Sequence, residues 1–153
     1  MASNTVYESH VGDHLKAVES KLKQAALVIG GMAEGYAKQY LTESGAVDTG
    51  LLRNSVTYGL EGEGTAIDSY KADKGDATGH YDGKIPQTEN GVVLVLGSNV
   101  EYAPYIELGT RSRAVGANGE GLKGGIRPRP YIRPALENHR QEYAEAIAQL
   151  LQG

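Results

Sequence analysis

The sequence predicts an α+β domain: a long N-terminal helix, a small mainly antiparallel sheet, a C-terminal helix packed on the sheet, and two long loops. Three observations carry that expectation. Apolar residues recur at steps of three and four from Leu15 to Tyr40. Val92-Val93-Leu94-Val95-Leu96 is an unbroken apolar run of strand length. A second helical rhythm, through Leu136, Tyr143, Ile147, Leu150 and Leu151, closes the chain. At 153 residues the chain fits a single domain, with 40% hydrophobic and 22% charged residues allowing a modest core.

Residues 1–11 lack periodicity and read as a flexible start. From Gly12, the positions Leu15, Val18, Leu22, Ala25, Ile29, Met32, Tyr36 and Tyr40 line one helix face. Lys16, Glu19, Lys23, Glu34 and Lys38 fall mostly opposite, and Gly45 supplies the C-terminal stop. Gly30, Gly31 and Gly35 each cost about 1 kcal/mol inside a helix relative to Ala, so they mark a bend or a close crossing. Asp48-Thr49-Gly50-Leu51-Leu52-Arg53 reads as a capped helical turn in which Asp48 accepts from the following amides. Arg53 has two readings, a bridge to a carboxylate of the sheet or a solvated side chain. Ser55 to Leu60 alternates like a strand.

Glu61 to Asn90 is polar and rich in Gly and Asp, and reads as a long loop with a short strand near Thr65 to Tyr70. The Val92–Leu96 run, apolar on both faces, is expected at the centre of the sheet. Tyr102 to Leu108 reads as a short helix with Pro104 in its first turn. Ser112 to Gly125 is a second glycine-rich loop. Arg127-Pro128-Arg129-Pro130 is extended, since each proline restricts its own φ and the residue before it. One final helix then starts near Pro130 or Pro134.

There is no Cys, Trp or Phe, so aromatic packing falls on 10 Tyr, and disulfides and thiolate metal sites are excluded. No apolar run reaches membrane-spanning length. The net charge of −4 argues against bulk nucleic-acid binding, yet the charge is uneven. Six of the 15 basic residues (Arg111, Arg113, Lys123, Arg127, Arg129 and Arg133) lie between Thr110 and Pro134 with a single acid, Glu120. A cationic strip on an acidic body steers copies of a chain head to tail.

No cluster of nucleophile and base stands out, so no enzyme activity is expected. Asp48-Thr49-Gly50 resembles an acid-protease loop in three letters only, without a second copy to complete a carboxylate pair. His10 and His14 have the spacing of two helical metal ligands but lack a clear third, and His80 and His139 read as isolated and exposed. Gly116 to Gly125 lacks the Gly-Lys-Ser/Thr of a phosphate loop. No cofactor or metal is therefore expected.

Three stretches occur in an informative order: Val47-Asp48-Thr49-Gly50-Leu51-Leu52-Arg53-Asn54-Ser55, then Tyr102-Ala103-Pro104-Tyr105-Ile106-Glu107-Leu108-Gly109-Thr110, then Arg129-Pro130-Tyr131-Ile132-Arg133-Pro134-Ala135-Leu136. From Val47 onward the chain resembles the tail-component, or tail-completion, proteins of long-tailed double-stranded DNA phages and prophages. That resemblance implies a virion protein of the neck, made in the host cytoplasm and assembled as a ring of six copies. The ring would join the head connector on the portal side to the tail tube or tail terminator, and DNA would pass through its lumen without sequence-specific contact. It also implies a structural junction at Asp48, Thr49, Gly50 and Arg53. Subunit or partner contacts are expected at Tyr102, Tyr105, Glu107, Arg111, Arg113, Arg127, Arg129, Tyr131 and Arg133. Internal packing of the tyrosines, with Glu107 paired to Arg129 or Arg133, is the competing reading. A tail-terminator-type ring capping the tube, and a DNA-binding module using residues 111–133, are the alternative functions.

Overall fold

The computed structural model describes residues 10–88, 91–110 and 125–152. The first and last described parts are both helical. Helix α1 runs from Val11 to Glu43, and the chain closes with α4 (Ile132–Glu137) and α5 (Arg140–Gln152). Between them come α2 (Leu51–Ser55), β1 (Thr57–Leu60), β2 (Gly64–Thr65), β3 (Ser69–Lys71), β4 (Thr78–His80), β5 (Leu94–Gly97) and α3 (Ala103–Leu108). The α+β class is as expected. The proposed flexible start and the loop at 112–125 lie almost wholly outside the described residues.

α1 ends in a paired turn: the Gly45 amide donates to Thr42 and the Ala46 amide to Leu41, each at 3.2 Å, with Gly45 at φ 66°. Glycine is favoured there because a side chain resists that left-handed backbone. The helix is unbroken through Gly30, Gly31 and Gly35, and Gly30 explains itself by contact. A Cβ there would fall 2.4 Å from the Tyr58 ring, whereas Gly31 and Gly35 face open space. The crossing is thus made by a side chain of the sheet.

α1 is a spine held from two sides. One side meets the sheet at Tyr58, and the other meets α4 and α5. Apart from Leu41, the buried positions of α1 are small residues, Ala25, Gly30, Ala33 and Ala37, while Tyr36 and Tyr40 stay half-buried. The core gathers beside the C-terminal half of α1, where Ala37, Leu41, Leu52, Val56, Val100, Ala103, Tyr131 and Ala135 pack together.

Three expectations need correction. The apolar run ends in β5, an edge strand, and the sheet order is β2-β1-β5 with β1 central, all antiparallel. The run is apolar on both faces because Leu94 and Leu96 share a face with Tyr58, which meets α1, while Ile85 lies over Gly59 and Val95 on the other. The segment 61–88 is also not one long loop, since β2 pairs with β1 and β3 forms a hairpin with β4. Asn99 secures that hairpin, accepting from the Tyr70 hydroxyl at 2.6 Å and donating to the His80 carbonyl at 2.8 Å. Finally, the last helix is two helices broken at Asn138-His139, and their extensive contact is with α1 rather than the sheet.

Candidate functional site

The motif stretches of the sequence come together at the end of the molecule where α1 finishes. Residues 125–131 run back past α3, tied by backbone bonds at Thr110 N–H to Ile126 C=O (2.9 Å) and Arg129 N–H to Ile106 C=O (2.8 Å). Gly109, at φ 71°, makes the close approach possible: a Cβ there would lie 2.6 Å from the Ile126 carbonyl. A side chain at this position would push the two segments apart.

Glu107 is the centre of this arrangement. Its Oε2 accepts the amides of Tyr131 (2.6 Å) and Ile132 (3.0 Å), and its Oε1 accepts that of Arg133 (3.0 Å). These are the orphan donors at the start of α4, which has no capping side chain of its own. A carboxylate suits them through both hydrogen bonding and the positive end of the helix dipole. Glu107 thus reaches α4 through backbone amides, not through the Arg129 or Arg133 guanidinium groups expected from sequence. The Arg129 side chain goes elsewhere, donating to the Gly45 carbonyl at 3.0 Å, at the C-terminal end of α1.

The remaining expected contact residues divide. Tyr131 is 2% exposed and belongs to the core, where burial pushes its phenol above the ordinary range, so it presents no contact surface. Tyr102 and Tyr105 are 41% and 52% exposed, and Leu108, absent from the expected set, is 65% exposed. Arg127 and Arg133 are exposed at the same end. Arg111 and Arg113 lie outside the described residues.

The junction at residues 48–54 works differently from expectation. Asp48 is exposed and caps nothing; the capping contact is a long one, Thr49 Oγ1 accepting from Leu51 at 3.4 Å. The partner that orders the turn is Asp73, between β3 and β4. The Thr49 carbonyl accepts the amides of Asp73 and Lys74, while the Asp73 carboxylate accepts from Asn54 (2.8 Å) and Arg53 (2.6 Å). Those contacts, with Asn54 first, hold the Asp73 carboxyl below its ordinary range. Gly50 sits under this carboxylate at φ 82°, and a Cβ would come within 2.0 Å of it.

His139, expected to be isolated and exposed, is stacked face to face on Tyr36 with ring centroids 3.4 Å apart. Its Nδ1 lies 2.9 Å from Glu142 Oε1 and its Nε2 lies 3.3 Å from the Tyr40 hydroxyl. The Tyr36 hydroxyl donates to Glu142 Oε2, and these contacts hold the Glu142 carboxyl below its ordinary value. Burial pushes the neighbouring Tyr143 phenol up to about 12, and its hydroxyl donates to the Ala135 carbonyl at 2.6 Å. The order carboxylate, imidazole, hydroxyl is that of a proton relay. Here a tyrosine replaces the usual nucleophile, and the Tyr36 ring covers one imidazole face, so the group serves to clamp α1 to the helix pair. Its periodic tyrosines were legible in the sequence, but the partner across 99 to 106 residues was not. His10 lies 3.8 Å from Asp13, and among the described residues no group of three or more His, Cys, Asp or Glu is arranged to hold a metal ion.

No helix among the described residues is long and apolar enough to cross a membrane. No protein-family model matches the chain, and no curated protein or solved structure is significantly similar to it. Fold and site together define a small α+β scaffold with one rigidly framed end bearing outward tyrosines, a leucine and arginines.

Proposed function

We propose that the chain is a structural component of a phage neck or head-proximal tail. It would act as one of about six copies in a closed ring between head connector and tail tube, with DNA passing through the lumen. The observation that carries this reading is the framed end itself. Glu107 and the Arg129 backbone lock α3 to residues 129–133, while Tyr102, Tyr105, Leu108, Arg127 and Arg133 face outward. Rigid aromatic and arginine side chains on a pre-ordered frame are what protein–protein contacts favour, because little conformational entropy is lost on docking. A structural rather than enzymatic role accompanies the proposal. The matching experiment is deletion of the gene from an inducible prophage: filled heads and finished tails should accumulate unjoined. Intact, infectious particles assembled without the protein would end this reading.

A further inference from the structure

Beside the N-terminal half of α1 is a hollow of about 740 Å³. Its apolar lining is Leu15, Val18 and Leu22 of the helix, with Val92 just before β5. The three α1 side chains are exposed although they are large and apolar. The charge of this hollow is acidic. Lys23 is bridged to Glu19 at 3.0 Å. That leaves Glu61, on the lining, and Glu63, close enough for Lys23 to feel it, without an ion-pair partner of their own among the described residues.

The opposite charge leaves from the other end of the molecule. Residues 111–124 lie outside the described residues, but both of their attachment points belong to the framed end. The Thr110 N–H to Ile126 C=O bond, 2.9 Å long, ties those points together. The segment carries Arg111, Arg113 and Lys123 against the single acid Glu120, a net charge of +2 (three minus one). Ala114, Val115 and Leu122 are its apolar residues. Fourteen residues with joined ends reach about 25 Å at most, seven residues out at roughly 3.6 Å each. Arg129 holds this end beside Gly45. From Gly45 to Leu22 is 23 residues (45 − 22), or about 35 Å along the helix. The segment therefore falls short of the hollow in its own chain.

We infer that residues 111–124 of one copy seat in the α1 hollow of the next, arginines toward Glu61 and Glu63 and apolar residues on the leucines. A cationic segment and an acidic hollow steer the two copies together. This rests on the ring proposed above, for which it names the heterologous joint: each copy gives one segment and receives one. The charged rim is open to water, so the joint is sensitive to salt.

The chain has no cysteine, so engineered cysteines report without background. Val18→Cys places a thiol in the hollow and Val115→Cys places one in the segment. Circular dichroism checks that each variant is folded, and Leu15→Cys replaces Val18→Cys should the latter lose its fold. The two variants are mixed and oxidised at low ionic strength over a concentration series up to about 1 mM. The mixture should form a covalent dimer on the order of tenfold faster than either variant alone, and the advantage should shrink at about 1 M salt, where charges are screened within about 3 Å. A chain carrying both cysteines should link copy to copy in a ladder. Equal rates in the single variants would overturn the inference, because random contact links like with like. So would a crosslink closed within one chain, or no mixed dimer up to about 1 mM. Virions that contain the doubly substituted protein but yield no ladder on oxidation would remove the joint and leave the neck function standing. A ladder formed in solution by a protein missing from virions would do the reverse.

Discussion

Replacing Glu107 by Ala removes three hydrogen bonds at once and leaves the amides of Tyr131, Ile132 and Arg133 without their acceptor. A bond to a charged acceptor contributes roughly 1.5–3 kcal/mol, and loss of a helix cap costs about 0.5–2 kcal/mol. The three share one half-buried carboxylate, and water can reach the exposed Arg133 side of it, so the sum is less than three independent bonds. We expect about 3 kcal/mol for Glu107→Ala. For a chain of this size that is a fall in melting temperature of about 6–12 °C. Glu107→Gln should cost less, about 1–1.5 kcal/mol, since its carbonyl still serves Tyr131 and Ile132 while its amide confronts the Arg133 N–H. Thermal unfolding followed by circular dichroism measures both, and hydrogen exchange should reveal lost protection at residues 131–133. An alanine variant melting within 2 °C of the parent would refute the capping argument, as would equal losses for Gln and Ala.

The glycines of α1 should respond in opposite directions. Gly30→Ala forces a Cβ against the Tyr58 ring and should destabilise by about 1–3 kcal/mol, whereas Gly31→Ala and Gly35→Ala meet open space and should stabilise by about 0.5–1 kcal/mol; urea titration distinguishes these signs. Gly50→Ala combines a φ of 82° with a clash on Asp73 and should cost more than 2 kcal/mol in the same assay. Glu142 and Asp73 both have carboxyls held below their ordinary values of 4.5 and 3.8, so their stabilisation is complete above those values and is lost as pH falls through the lower folded values. The melting temperature should therefore drop on acidification below about pH 4.5, and Glu142→Gln should flatten that fall. Tyr105→Ala and Arg133→Glu should leave the melting temperature within about 2 °C, because both side chains are exposed, yet weaken incorporation into particles, as read by complementation of a deleted prophage.

What this sequence determines by itself is local. The step of three and four residues places α1 and the C-terminal helical region, Gly45 stops α1, and Pro104 opens α3, because each signal acts within a few residues of its effect. Alternation from Ser55 to Leu60 located β1 for the same reason. Neighbourhood is a different matter. An apolar run looks alike whether its faces are covered by two strands, a helix or a loop, so nothing in Val92–Leu96 said that β5 would be an edge. The glycine-rich segment 61–88 hid its strands because each is only two or three residues long and is held by distant partners such as Asn99 and Asn54. At the site, sequence pointed to Tyr102, Tyr105, Glu107 and the arginines, but only the tertiary structure decided their roles. It buried Tyr131, turned Arg129 back onto Gly45, and brought Glu107 to amides 24 to 26 residues away. Backbone N–H groups are identical along the chain, so a carboxylate that binds them carries no side-chain signature of its partner; the fold alone supplies it.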